Sequence, residues 1–294
     1  MIIEGEVMTK KVAVFNDISG FGKCSLTAAL PVLSVLGVQC NPIPTMVLTG
    51  QGGYEVSFRR DLTDMLPDYT YAWKENGAEF EGIYSGYLTG PEQIDHVFQF
   101  LDTFRKEDTF LLVDPVMGDD GDTYQIYSEE LLDQMKKLSR QANLITPNLT
   151  EACLLSNTSF EEISCLTEKE EIMENVSRIA YDLRNAAEVS QDVLITGVKV
   201  QQNDKWYIYN VALTENGIHT FSSEWLEKSF SGTGDLLASA LCGLRLNGYS
   251  TEEAMEIAGK FLQLSIADAI EDATDANDGV AFEKNLKELI VYAK

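Results

Sequence analysis

The chain has 294 residues, 45% of them hydrophobic and 23% charged, an ordinary globular composition that can bury a large core. Acidic residues outnumber basic ones by 47 to 22, and the net charge of −25 argues against nucleic acid or an anionic membrane as a partner. Five cysteines without a CxxC pair, no signal peptide in Met1–Glu6 and no apolar run of ~20 residues favour a cytoplasmic protein without disulfides or membrane spans.

The first half of the chain alternates short apolar segments with amphipathic ones. Strands are predicted at Lys11–Phe15, Gly82–Tyr84, Phe110–Asp114 and Asn143–Thr146, with an extended segment at Val38–Leu48. Pro42 and Pro44 argue against a central strand in that extended segment. Helices are predicted at Ser25–Leu36, near Val56–Met65, at Pro91–Lys106 and at Ser128–Arg140.

The second half continues the alternation. The pattern predicts a short helix after Pro147, a helix at Thr167–Ala187, a strand at Val193–Thr196, a hairpin of Trp206–Leu213 with His219–Phe221, and helices from Gly234 or Asp235 to Leu246 and at Thr251–Ile270. Such alternation indicates an α/β fold with a mostly parallel sheet between two helix layers, in one domain spanning residues 1–294. Ligands of these sheets bind at the carboxyl ends of the strands, here after Phe15, Asp114, Thr146 and Thr196.

The segment from Phe230 to Ala238 places two glycines immediately before a helix pattern. Gly232 and Gly234 allow backbone N–H groups to converge on an anion at the helix N-terminus. Asp235 in the first turn could accept a proton from an alcohol that attacks a phosphoryl group held there. The alternative is a tight turn in which Asp235 only complements the helix dipole.

The segment from Val113 to Asp122 is a buried strand that ends in an acid and is followed by a loop rich in glycine and aspartate. Asp114 and Asp119 could orient a hydrated Mg²⁺, which prefers carboxylate oxygens. The spacing does not match an EF-hand loop. A solvated turn is the alternative, and it suits Asp120 and Asp122 better than Asp114.

Two further segments follow strands. In the segment from Leu144 to Glu151, Asn148 and Glu151 lie one helical turn apart and could face the same cleft, although ordinary helix capping explains them equally well. The segment from Asp17 to Ser25 contains a Gly-Lys pair but not the Walker A pattern, since Cys24 follows Lys23. A glycine-rich loop that lines a small-molecule pocket is the better interpretation.

In this order and spacing, the four segments resemble the ribokinase superfamily, and within it the pyridoxal (vitamin B6) kinases. Gly232-Thr233-Gly234-Asp235 matches the anion-hole and base signature of the superfamily. The runs Asp114–Asp119 and Thr146–Glu151 match the branch of the B6 and hydroxymethylpyrimidine kinases. The similarity extends from Val12 to Leu246. It implies a ribokinase-like three-layer fold, usually dimeric.

The resemblance also implies an activity, which is transfer of a phosphoryl group from ATP to the 5′-hydroxymethyl group of a B6 vitamer. It implies Mg²⁺ with ATP and often a monovalent cation such as K⁺. The implied roles are catalysis by Asp235 with Gly232, Thr233 and Gly234; metal binding by Asp114 and Glu151; ATP binding by Asn148, Glu151, Asp119, Tyr124 and Thr196; and substrate binding by Asn16, Asp17, Gly52 and Tyr87.

The chain departs from the pyridoxal kinase pattern beside the substrate. Asn16-Asp17 replaces a Ser-His pair, and Gln51-Gly52-Gly53 stands where many pyridoxal kinases have His and Thr-Gly. Substrate preference among pyridoxal, pyridoxamine and pyridoxine therefore stays open. A hydroxymethylpyrimidine kinase of thiamine synthesis is the alternative enzyme, and a catalytically silent B6-binding regulator is a further alternative. We expect ATP and a small pyridine or pyrimidine alcohol as ligands, in a homodimer.

Overall fold

A computed structural model describes residues 9–294; the opening segment, in which no signal peptide is expected, lies outside the described residues. Residues 9–294 contain eleven strands: β1 (Lys11–Ser19), β2 (Gln39–Leu48), β3 (Arg59–Asp61), β4 (Gly82–Ser85), β5 (Phe110–Val113), β6 (Gly118–Asp119), β7 (Asp122–Thr123), β8 (Leu144–Ile145), β9 (Asp192–Gln202), β10 (Lys205–Thr214) and β11 (Gly217–Glu224).

Nine of these strands form one sheet in the order β11-β10-β9-β8-β5-β4-β1-β2-β3. The six strands from β9 to β2 run parallel, whereas β10, β11 and β3 pair antiparallel at the two ends. The parallel strands place their carboxyl ends along one edge of the sheet. The expected mostly parallel sheet is confirmed.

Within the described part of the chain, ten helices cover the sheet: α1 (Ser25–Val35), α2 (Leu66–Glu75), α3 (Pro91–Phe104), α4 (Glu129–Arg140), α5 (Leu149–Ser156), α6 (Phe160–Ser164), α7 (Lys169–Asn185), α8 (Thr233–Leu246), α9 (Thr251–Glu271) and α10 (Leu286–Ile290). Helices α2 to α7 pack on one face, and α1, α8, α9 and α10 pack on the other. Successive strand residues alternate between the two cores, with Ile83 in one and Tyr84 in the other. The predicted three-layer architecture is confirmed.

The helix predicted near Val56–Met65 is wrong. That segment contains β3 and a short 3-10 turn, and the helix α2 begins only at Leu66 with Pro67 in its first turn. Val56 and Phe58 in this segment are both 74% exposed, so they mark no buried helix face.

The extended segment around Pro42 and Pro44 is a strand, β2, inside the sheet order. Its outer neighbour β3 pairs only with residues 46–48. At both prolines β2 is therefore an edge strand, where a missing N–H breaks no ladder. Within residues 9–294, no helix is long and apolar enough to span a membrane.

Candidate active site

A cleft of about 640 Å³ lies at the carboxyl edge of the parallel strands. It is lined by residues from all four segments that the sequence singled out. Of the predicted site residues, those in the lining are Asp17, Tyr87, Asp114, Asp119, Tyr124, Asn148, Glu151, Thr196, Gly232, Thr233, Gly234 and Asp235. Asn16 and Gly52 are not part of the lining.

The N-terminus of α8 faces this cleft. Gly232 is its N-cap and has a left-handed conformation, with φ of +79°. A Cβ at this position would lie 2.1 Å from the carbonyl oxygen of Lys23, so both the backbone angle and the close approach require glycine. The amides at the start of the helix have no intrahelical acceptor, so this helix end could bind an anion.

Asp235 lies in the first turn of α8, half-buried at the cleft. Its Oδ1 accepts a hydrogen bond of 3.2 Å from Nδ2 of Asn16, and the backbone amide of Ser25 also faces the carboxylate. Burial raises the pKa of Asp235, and these two donors oppose the rise. Asn16 is fully buried, so it supports the carboxylate from beneath.

Asp17 is a buried carboxylate in the lining of the cleft. Its oxygens accept hydrogen bonds from the hydroxyls of Ser25 and Ser19. Burial raises the pKa of Asp17 to about 6; the Ser25 hydrogen bond opposes the rise and the charge of Asp235 adds to it. Two acids of like charge therefore meet here, and Ser25 contacts both of them. Ser25 could not be singled out from the sequence, because a serine hydroxyl is a common feature of helix starts.

Asp114 and Glu151 form a second pair of buried carboxylates. The hydroxyl of Thr146 donates to Oδ1 of Asp114 over 2.9 Å. Burial, followed by the charge of Asp235, raises the pKa of Asp114 to about 7. Burial and the charge of Asp114 raise the pKa of Glu151 well above its ordinary value. A cation placed between the two carboxylates would relieve this cost.

Glu151 also joins two backbone segments. Its Oε1 accepts from the amide of Met117 over 3.0 Å, and its Oε2 accepts from the amide of Asn148 over 2.9 Å. With this second bond Asn148 and Glu151 form a capping box, because the side chain of Asn148 in turn accepts from the Glu151 amide. Separately, Nδ2 of Asn148 donates to the carbonyl of Gly118. Thr196 lies beside it, in a parallel bridge to Asn148. Asn148 and Glu151 therefore both cap α5 and line the cleft.

The strands β6 and β7 form a small hairpin that covers the cleft. Asp119 lies on this hairpin, and the turn residues Asp120 and Gly121 have φ of +50° and +90°. Asp120 forms an ion pair of 2.6 Å with Lys199 on β9. Tyr124 follows the hairpin and is 43% exposed. We call residues 118–124 the flap.

The loop after β2 does not bring Gly52 to the cleft, in contrast to the expectation that Gly52 binds substrate. Gly52 is exposed on the loop after β2, outside the lining. The neighbouring Gln51 donates to the carbonyl of Asn277, and the hydroxyl of Tyr54 donates to Asp278. The loop thus reaches the cleft through Asn277, which is part of the lining. Tyr87 does line the cleft, and its amide donates to Oδ1 of Asn16 over 2.9 Å.

The far wall of the cleft was not foreseen from the sequence. It combines cationic, amide and apolar side chains from β9 to β11 and from α9, together with the segment after β11: Lys199, Asn210, Phe221, Trp225, Leu226, Lys228, Leu262, Gln263 and Ile266. The ammonium of Lys199 lies 5.7 Å from the ring centroid of Trp225. The apolar residues come from β11, the segment after it and α9, and no single local sequence pattern joins all of them.

The carboxylates of Asp114 and Glu151 are candidate ligands for a divalent cation. Across residues 9–294, no cluster of three or more Asp, Glu, His or Cys side chains is arranged to hold a metal alone. Asp114 and Glu151 have no Lys or Arg ion-pair partner among the described residues. This set fits Mg²⁺, which commonly takes one or two carboxylates and completes its shell with water and phosphate oxygens.

Comparison with known proteins places this site in a family. A phosphomethylpyrimidine kinase family model matches residues 75–279. A Bacteroides thetaiotaomicron structure with pyridoxal, of a protein classed as a phosphomethylpyrimidine kinase, is 31% identical and has a TM-score of 0.87, with 96% of each chain covered. Pyridoxal kinase from Lactobacillus plantarum is 28% identical, with a TM-score of 0.85 and coverage of 96% of this chain and 97% of that one.

Curated relatives agree with the structures. The pyridoxine/pyridoxal/pyridoxamine kinase of Bordetella avium is 25% identical over 276 residues, which is 90% of this chain and 88% of the relative. The chain spans about half the length of two other curated relatives, 55% of one and 51% of the other. The resemblance to ribokinase-like B6 and pyrimidine kinases is confirmed, and the chain belongs to the phosphomethylpyrimidine kinase family.

Proposed function

We propose that this protein is an ATP-dependent kinase that phosphorylates the 5′-hydroxymethyl group of a vitamin B6 vitamer, giving the 5′-phosphate. The observation that carries the proposal is the position of Asp235. It lies beside an anion-binding helix N-terminus and in the same cleft as the carboxylates of Asp114 and Glu151. This arrangement supplies a base, a phosphoryl site and a cation site within one enclosure.

In the proposed reaction, the carboxylate of Asp235 accepts the proton of the substrate alcohol. The alcohol oxygen forms a bond to the γ-phosphorus of ATP while the bond from that phosphorus to the β–γ bridging oxygen breaks, which releases ADP. Amides of Gly232, Thr233 and Gly234 hold the oxygens of the transferred group. Asn16 keeps the Asp235 carboxylate oriented toward the alcohol.

The nucleotide binds on the side of the flap. We propose that Asp119, Tyr124, Asn148 and Thr196 contact ATP. The apolar side chains of the far wall would contact the adenine. Mg²⁺ would be held by Asp114 and Glu151 and would neutralise phosphate charge in a cleft rich in carboxylates. A monovalent cation such as K⁺ beside the same carboxylates belongs to the proposal.

The substrate binds near Asn16, Asp17 and Tyr87 at the other end of the cleft, with Gly52 on the loop beyond. Pyridoxal, pyridoxamine and pyridoxine are the candidates, supported by the B6 kinases among the relatives. Hydroxymethylpyrimidine is a second candidate, because the matching family is named for phosphomethylpyrimidine kinases. A silent B6-binding regulator is a weaker alternative, since mere binding requires no carboxylate beside a phosphoryl site.

Release of ADP tests the proposal directly. The purified chain is supplied with Mg²⁺-ATP and, in separate reactions, with each B6 vitamer and with hydroxymethylpyrimidine. We expect turnover of at least one B6 vitamer, and Asp235→Asn should lower kcat by about 10²–10⁴-fold with nearly unchanged ATP binding. Turnover of hydroxymethylpyrimidine alone would replace the B6 assignment. An Asp235→Asn variant within a few-fold of wild type would remove the proposed base.

Three further properties complete the proposal. The chain forms one kinase domain over residues 1–294, acts as a homodimer and is located in the cytoplasm. Five free cysteines are compatible with a reducing compartment. Sedimentation of the purified chain would test the dimer, and a monomer at micromolar concentration would contradict it.

A further inference from the structure

Ser25 has an unusual backbone for a buried residue at a helix start. It is the first residue of α1, only 5% exposed, and its φ is +50°. A residue with a side chain rarely adopts this left-handed conformation, and residues held there cluster at functional sites. The six other non-glycine residues with positive φ among residues 9–294 are half-buried or exposed. Ser25 therefore stands apart as a strained and buried position.

The strained conformation directs two groups of Ser25 at two carboxylates. The hydroxyl donates to Oδ1 of Asp17, and the backbone amide faces the carboxylate of Asp235. Asn16 also contacts the Asp235 carboxylate, because its Nδ2 donates to Oδ1 of Asp235, while its Oδ1 accepts from the backbone amide of Asp17. The Asp235 carboxylate is thus contacted by both Asn16 and Ser25, and the Asp17 carboxylate is held by the Ser25 hydroxyl.

Such support is needed because the two carboxylates carry like charges. The charge of Asp235 acts on Asp17 across the cleft, and unrestrained side chains would rotate apart to weaken that repulsion. Hydrogen bonds to charged acceptors are among the stronger ones. Loss of one donor should therefore disturb the orientation of the carboxylate that it binds.

We infer that Ser25 is a positioning residue, which fixes Asp17 and Asp235 relative to each other so that the base meets the alcohol of a bound substrate. The inference rests on the proposed role of Asp235. It adds a residue outside the glycine-rich helix start and gives a reason for the strain at the beginning of α1.

Two substitutions separate the hydroxyl from the backbone strain. Ser25→Ala removes the hydroxyl and keeps a Cβ, whereas Ser25→Gly removes the hydroxyl and also tolerates the left-handed angle. We expect both variants to lower kcat by about 10-fold with the KM for ATP within two-fold of wild type. Ser25→Gly should melt about 2 °C above Ser25→Ala. Activity would then follow the hydroxyl, and stability would follow the backbone angle. Ser34→Ala, at an exposed serine of the same helix, is the control and should change neither.

The outcomes are decisive in each direction. A purely structural Ser25 would make kcat and melting temperature fall together in Ser25→Ala and recover together in Ser25→Gly, which would overturn the inference. Wild-type kcat in Ser25→Gly would also overturn it, and this variant remains informative if Ser25→Ala does not fold. Absence of wild-type turnover on every alcohol would refute the proposed function, and this inference with it.

Discussion

Replacement of Asp17 by asparagine should stabilise the protein at neutral pH. The pKa of Asp17 rises from 3.8 to about 6, and at 1.36 kcal/mol per pKa unit this corresponds to about 3 kcal/mol. A raised pKa means that the ionised carboxylate is less favourable in the folded chain than in the unfolded one. Asp17 therefore adds no penalty below pH ~4; its penalty grows between pH ~4 and ~6 and stays level at higher pH. Asparagine removes the charge, and the hydroxyls of Ser19 and Ser25 can rotate to suit its amide.

Urea unfolding of wild type and Asp17→Asn at several pH values between 4 and 8 measures this effect. The free energy of unfolding of the variant should exceed that of wild type by up to about 3 kcal/mol at pH 7.5, and the difference should shrink toward zero near pH 4. Asp102→Asn, at an exposed aspartate of α3, is the matched control. A variant that is less stable than wild type at pH 7.5, or a difference that does not depend on pH, would refute the reasoning.

Three other predictions address function and local structure. Gly232→Ala should lower the free energy of unfolding by about 2 kcal/mol or more because of the left-handed angle and the contact with a backbone carbonyl, whereas Gly234→Ala meets open space and should not be destabilised; equal melting temperatures would contradict this. ATP should bind more tightly with Mg²⁺ than without it in calorimetric titrations, and equal affinities would rule out metal binding by Asp114 and Glu151. Asp17→Asn should change the ratio of kcat/KM among pyridoxal, pyridoxamine and pyridoxine if its charge selects an amine-bearing ring, and unchanged ratios would remove it as a selectivity determinant.

Local patterns predicted most of the fold because they record burial directly. The strand at Phe110–Val113 is an unbroken apolar run, and its neighbours in the sheet follow the same pattern. The helix predicted near Val56–Met65 was wrong, and Val56 and Phe58 are exposed in that segment. The missed helix α2 had a signal in Pro67, which occupies its first turn. The ends of strands were harder to predict from the sequence. The strand β9, for example, continues to Gln202 through its pairing with β10.

The candidate site was predictable where chemistry is carried by a compact segment. The glycines before Asp235, and the pair Asn148 and Glu151, indicate their geometry through spacing alone. The contribution of Ser25 was not predictable, since it depends on a left-handed angle and on two carboxylates from β1 and α8. The far wall likewise exists only after distant elements pack together.

The double attachment of Glu151 has a consequence for local opening beside the cleft. Its carboxylate binds the amide of Met117 in the loop before the flap and the amide of Asn148 at the start of α5. Deuterium can replace the Met117 amide hydrogen only after that bond breaks, so the exchange of this single amide reports the free energy of local opening at this point. Nucleotide that occupies the cleft should slow the exchange, whether or not any alcohol is present. Exchange of the Met117 amide would thus report whether nucleotide occupies the cleft, independently of catalytic turnover.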